Sequence, residues 1–156
     1  MLTKLLNQKG ATLIEALLSL FLFSIIGTAV YFVLLNGVKT ENKIYTETMI
    51  RDEADLVMSQ IIDVLYTAPA SKVKDVSTGS QNLLVYQDES QTTSVGFAGH
   101  KPVIDGKAIS TNDFDFKDST IIKADNSIKI VLNIKSKKNK NARPLSLQSQ
   151  FGLMKE

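Results

Sequence analysis

Residues 16–35 read Ala16-Leu-Leu-Ser-Leu-Phe-Leu-Phe-Ser-Ile-Ile-Gly-Thr-Ala-Val-Tyr-Phe-Val-Leu-Leu35, 20 residues in a row without a charge. At about 1.5 Å per helical residue the run covers roughly 30 Å, the depth of a bilayer's hydrocarbon core. A 156-residue chain that is 44% hydrophobic and 22% charged has material for one domain with a modest core besides this stretch.

Downstream of the run the helical pattern continues. No proline occurs until Pro69, and 41–66 keeps an amphipathic period. Ile50, Ala54, Val57, Ile61, Val64 and Leu65 fall on one face, with Asp52, Glu53, Asp55, Ser59 and Asp63 mainly opposite. A continuous helix from about Leu13 to Tyr66 is therefore expected, with Asn36-Gly37 as its weak point, open to a bend or a break. No compact domain of this size needs so long a helix. Its first half has to leave the globule, and its second half carries a stripe suited to packing on a sheet.

Beyond Pro69 the period changes from helical to alternating. Residues 71–81 read as a loop, and short strands are expected at 82–86, 93–98, 113–116 and 120–123. The cleanest alternation sets Ile128, Ile130, Leu132 and Ile134 against Lys129, Val131 and Asn133, with Asp125-Asn126 able to turn 120–123 back onto it. A further strand after Pro144 places Leu145, Leu147 and Phe151 on one face. The fold class is α+β: a long N-terminal helix, membrane-spanning in its first half, whose second half packs on a small antiparallel sheet.

Upstream of the run stands Lys9-Gly10-Ala11-Thr12-Leu13-Ile14-Glu15. Thr12-x-x-Glu15 has the form of a capping box, in which the Thr12 hydroxyl and the Glu15 carboxylate satisfy free amides at a helix start. A carboxylate inside the apolar phase costs on the order of 2.5–3.5 kcal/mol at midplane and less near an edge, so Glu15 calls for a cationic partner. A conventional secretory signal is the competing reading, since Gly27-Thr28-Ala29 offers a small-x-small cleavage site after an apolar core. Glu15 intrudes between leader and core in that reading.

A short leader ending in Gly10, then Ala-Thr-Leu-Ile-Glu15 and an apolar run, resembles the prepilin cleavage and methylation signature of type IV pilins and type II secretion pseudopilins. The resemblance implies cleavage between Gly10 and Ala11 by a prepilin peptidase, N-methylation of Ala11, and a Glu15 that pairs with the N-terminal ammonium of a neighbouring subunit during assembly. It implies a leader at 1–10, a transmembrane and filament-core helix at 11–36, an amphipathic helix half at 37–68 and a sheet domain at 69–156. Its partners would be other pilins or pseudopilins, an inner-membrane assembly platform with a cytoplasmic ATPase, and membrane lipid before assembly. The C-terminal domain would then be extracytoplasmic and reach the cell surface in a filament. Ala11 stands where the family commonly has Phe, and no proline kinks the first half of the helix. Absence of Cys and of that proline favours a minor subunit of a competence pseudopilus, similar to the ComG-type pseudopilins, which serve DNA uptake. A type II secretion minor pseudopilin and a type IV pilus minor pilin share the same features.

Charge and composition bound the remaining classes. Lys4 and Lys9 account for the net charge of +2, so the chain beyond residue 10 balances at zero and exerts no long-range pull on polyanions. Lys135, Lys137, Lys138, Lys140 and Arg143 form a local basic loop, read first as a solvated hairpin loop and second as a DNA-contacting tip of a membrane-anchored receptor. Asp113-Phe-Asp-Phe-Lys-Asp118 reads as a strand with an acidic face and lacks the Gly and terminal Glu of a calcium loop. With no Cys, one His100 placed after a Gly in a turn, no nucleophile elbow and no phosphate-binding loop, neither an enzyme, a metal site nor a cofactor is expected.

Overall fold

The computed structural model describes residues 13–87 and 92–154. It divides into two compact units, Met1–Asn42 and Lys43–Glu156. The helix α1 (Leu13–Tyr66) is continuous through Asn36-Gly37, so the expected weak point does not interrupt it. Neither Gly27 nor Gly37 has any atom within 4 Å of where a Cβ would stand, so neither glycine serves a close contact within the chain.

In the first unit the described part of α1 is exposed along its whole apolar length. Its polar side chains satisfy themselves locally. Ser19 Oγ donates to the Glu15 carbonyl at 2.8 Å, Ser24 Oγ to the Leu20 carbonyl at 2.9 Å, and Thr28 Oγ1 to the Ser24 carbonyl at 2.7 Å. Hydroxyls that back-bond to the preceding turn enter lipid without leaving a donor unmet.

In the second unit α1 buries Ile50, Ala54, Val57, Ile61 and Leu65, the stripe expected from its period, with Val64 packed at the margin. Pro69 and a 3-10 turn (Ala70–Lys72) end the helix and lead into two antiparallel sheets, where one was expected. The first sheet runs in order through β1 (Val73–Asp75), β2 (Gln81–Gln87), β3 (Thr92–Ala98), β4 (Lys101–Ile104) and β5 (Lys107–Ala108). The second is centred on β8 (Ser127–Ser136), which pairs on one side with β7 (Thr120–Ala124) and β6 (Phe114–Asp115) and on the other with β9 (Leu145–Gly152).

Strand β1 lies inside the stretch read as a loop: three residues with only Val73 buried carry no readable alternation. Strands β4 and β5 were also missed, β4 because Pro102 argues against a strand. That proline is accommodated because its carbonyl, which accepts from Ile109 N at 2.8 Å, faces β5 rather than β3, so its nitrogen faces the same way and no bond of the β3–β4 ladder is lost. The Asp125-Asn126 turn forms as expected, with Ala124 paired to Ser127 and Asp125 at φ 47°.

The sheets meet where β2, β3 and β7 approach one another. Ile121 N donates to Asn82 Oδ1 across the seam. Gly96, at φ 144°, lies so near that a Cβ would stand 2.1 Å from the Asn82 carbonyl oxygen and 3.0 Å from Ile121 Cγ2. Lys123 Nζ closes the other end by donating to the carbonyls of Ala70 at 2.7 Å and Val73 at 2.8 Å. The core these elements enclose joins the helix stripe to Ile121, Ile128, Ile130, Leu132 and Ile134, all fully buried. Each such side chain contributes about 1.5–3 kcal/mol on leaving water.

Candidate functional site

Two groups of residues were singled out by sequence, one at each end of the chain. Of the first, Gly10, Ala11 and Thr12 lie outside the described residues, as does the Thr12 half of the capping box. Glu15 occupies the first turn of α1 on an exposed position. A carboxylate there faces the positive end of the helix dipole, worth typically 0.3–1 kcal/mol. From Leu13 to Val38 it is the only charged residue, at one margin of the membrane-length surface. Among the described residues this is the one helix long and apolar enough to cross a membrane.

The second group is not a free basic finger. Lys135 pairs with Asp115 one residue before β8 ends at Ser136, and the loop that follows is tied down at several points. Lys137 N donates to the Asp113 carbonyl at 2.8 Å, and its Nζ donates to the Thr111 carbonyl at 3.2 Å. Lys138 Nζ pairs with Asp113 Oδ1 at 2.8 Å. Asn139 Nδ2 reaches Thr46 Oγ1 at 3.2 Å, and Arg143 N donates to Glu47 Oε1 at 3.1 Å, which docks the loop on the second half of α1. Lys43 stands 3.9 Å from the same Glu47 carboxylate. All five cations, Lys135, Lys137, Lys138, Lys140 and Arg143, stay exposed, and Lys137 and Lys138 are the two whose ammonium groups are held by Thr111 and Asp113.

Sequence reasoning missed Asp113, Asn139 and Glu47 as the groups that hold this loop. Asp113 and Asp115 were read as an exposed acidic face, yet both are half-buried and engaged. Asp115 stands 3.5 Å from His100 Nδ1 and accepts from Lys117 N at 3.1 Å. The alternation with Phe114 and Phe116 was legible, and both rings are buried, Phe116 stacking on Phe97 at 6.4 Å between centroids. His100 lies in the expected turn, Gly99 and His100 both having positive φ between the paired Ala98 and Lys101. Such a two-residue loop matches the twist of the flanking strands.

An exposed membrane-length helix with one carboxylate in its first turn, running on into an antiparallel α+β body, is the layout of type IV pilins. Residues 5–31 match the prokaryotic N-terminal methylation motif, so the chain carries the type IV prepilin signature at the place where Gly10, Ala11 and Glu15 were singled out. The motif and the membrane-length helix fit a membrane-anchored, single-pass protein, and the motif points to a pilin-like structural subunit and implies processing by a prepilin peptidase and assembly with other pilins. No curated protein and no solved structure matches the chain.

Proposed function

We propose that this chain is a minor pilin or pseudopilin of a type IV filament-like machine, in particular of a competence pseudopilus for DNA uptake. The observation that carries the reading is the methylation motif at 5–31 with Glu15 as the single charge at the start of the membrane-length helix. The peptidase cuts between Gly10 and Ala11 and methylates the new amine. The Glu15 carboxylate then pairs with the ammonium of a neighbouring subunit as a cytoplasmic ATPase and its membrane platform draw helices out of the bilayer. Pairing offsets the cost of a charge among apolar helices, about 2.5–3.5 kcal/mol at its largest.

Absence of Cys and of a kinking proline before Pro69 supports the competence assignment over a major pilin. Within that machine Lys135, Lys140 and Arg143 are the cations available to DNA phosphates. N-terminal mass analysis of membrane-extracted protein tests the processing step, with a mature chain starting at methylated Ala11 as the expected result. Glu15→Ala should leave a stable membrane protein whose incorporation into filaments falls by roughly tenfold or more, tenfold corresponding to only 1.4 kcal/mol. Normal incorporation of that variant, or a chain starting at Met1 or near Val30, refutes the reading.

A further inference from the structure

Three turns of the second unit that the filament reading leaves unused converge on a polar cleft of about 390 Å³. Its walls are residues 77–82, which lead from β1 into β2, His100 of the β3–β4 turn, and residues 117–120, which lead from β6 into β7. A second hollow of about 280 Å³, bounded by Lys117, Asp118, Asn133, Lys135, Pro144 and Ser146 among others, adjoins it. Lys117 and Asp118 line both hollows, so the two form one groove that passes over this pair.

The backbone of the walls is fixed from within. Thr78 and Gln81 exchange backbone hydrogen bonds of 2.9 Å, and Ser77 Oγ accepts from Leu83 N at 3.2 Å. On the facing wall Asn133 Nδ2 donates to the Asp118 carbonyl at 2.8 Å, and Ser119 Oγ donates to the Asn133 carbonyl at 3.1 Å. Phe116 N donates to the His100 carbonyl at 3.2 Å and ties the second wall to the third. Five side chains that line the cleft take no part in this bonding. Among the described residues Ser80, Gln81, Lys117, Asp118 and Thr120 make no side-chain hydrogen bond or ion pair. A concave surface held rigid behind unpartnered polar groups is organised for a ligand.

Those groups differ in kind. Lys117 only donates, Asp118 only accepts, and Ser80, Gln81 and Thr120 do both. A phosphate chain would bring its charge against the Asp118 carboxylate, which no cation of the described residues neutralises. A cationic ligand would meet Lys117 instead. A hydroxyl suits both, because it donates to the carboxylate and accepts from the ammonium. The walls at 77–80 and 117–119 lie between strands, so they give an extended peptide no edge to pair with. Two joined hollows suit a chain of rings, and Pro144 and Leu145 add apolar surface at the far end for a ring's C–H face.

We infer that this groove binds a neutral linear glycan, with the hydroxyls of one sugar bridging Lys117 and Asp118. Its neighbours reach Ser80, Gln81 and Thr120 on one side and Ser146 on the other. The inference goes beyond the filament-subunit reading and does not depend on it, since no residue of α1 or of the methylation motif takes part.

Full-length protein in lipid discs, free of glycoside detergent, is mixed with N-acetylglucosamine hexasaccharide or cellohexaose as neutral probe, or with a short DNA duplex as the anionic one. Saturation-transfer NMR on the probes reads binding. At least one saccharide should show saturable transfer. Asp118→Asn, which tolerates the same φ of 65°, should weaken it about fivefold, the difference between a charge-assisted and a neutral hydrogen bond. Thr120→Val should weaken it too. Neither side chain bonds within the chain, so both variants should melt with the parent, and Ser80→Ala on the opposite wall repeats the measurement if one does not. Asp118→Asn separates the ligand classes by sign, because it takes an acceptor from a glycan and a repelling charge from a polyanion. A duplex that displaces the saccharide and binds Asp118→Asn more tightly overturns the inference. So does absence of transfer to both saccharides, or transfer unchanged in both Asp118→Asn and Thr120→Val.

Discussion

Gly96→Ala tests the close approach of β3 to β2 and, through Ile121, of the first sheet to the second. The added Cβ would lie 2.1 Å from the Asn82 carbonyl oxygen and 3.0 Å from both Ile121 Cγ2 and Leu83 Cα. Carbon and oxygen not joined by a bond come no nearer than about 3.3 Å, so β2 and β3 must part by roughly 1 Å against their own ladder. Overpacking of this kind costs about 1–3 kcal/mol, and an alanine held at φ 144° adds about 1–3 kcal/mol of backbone strain. Gly79→Ala separates the two contributions. Gly79 also has positive φ, at 58°, but no atom lies within 4 Å of its Cβ position, so only a conformational cost of about 1–2 kcal/mol remains. At roughly 4 °C per kcal/mol for a unit of this size, Gly96→Ala should lower the melting temperature of the sheet unit by about 8–24 °C and Gly79→Ala by about 4–8 °C. Calorimetry of the full chain in detergent reads both. A Gly96→Ala protein melting within about 2 °C of Gly79→Ala would show that the close contacts at Gly96 contribute nothing, and the reasoning would fail.

Two further outcomes follow from charges in the same unit. Burial raises the Glu53 carboxyl above its ordinary 4.5, so the native state binds its proton more tightly than the unfolded chain and stability falls as pH rises through the window above 4.5. Glu53→Gln should therefore be more stable than the parent at pH 7 and indistinguishable from it at pH 4, by denaturant midpoints; an equal difference at both pH values refutes the assignment. Replacing Lys135, Lys140 and Arg143 together by Gln should lower retention of double-stranded DNA and reduce its salt slope by about 3. Lys138→Gln, already held on Asp113, should change retention little, and an equal loss in both variants refutes that division of the loop.

The helix was legible because its signals are long. Twenty uncharged residues and a stripe repeated from Ile50 to Leu65 exceed what local irregularity can mask, and Asn36-Gly37 could not break a helix whose neighbours on both sides hold the period. Strand β8 was legible for the same reason. What escaped was short or non-local. Val73 becomes a strand because Tyr86 pairs with it, and Pro102 enters β4 because its backbone nitrogen and carbonyl face away from β3. The second sheet separates from the first at Gly96 and Asn82, positions whose meaning depends on Ile121, far along the chain. At the N-terminal site the residue types carried the chemistry by themselves. In the basic loop they did not, since Lys137 and Lys138 look the same in sequence as Lys140 and differ only in having Thr111 and Asp113 opposite them.

The charge balance bears on how such a subunit associates. Beyond the leader the side chains cancel, yet the cancellation is segregated. Residues 43–66 hold five carboxylates against two cations, while residues 67–156 hold thirteen cations against nine carboxylates. A neutral chain arranged so has no long-range attraction for a polyanion and no net repulsion from other neutral subunits. At physiological salt the screening length is about 8 Å, so pairing of local charges acts only once subunit faces meet. Lipid holds the subunits at high local concentration before assembly, which removes the need for steering from afar. A uniformly acidic or basic body would oppose that approach by net repulsion between subunits, and the balanced chain does not.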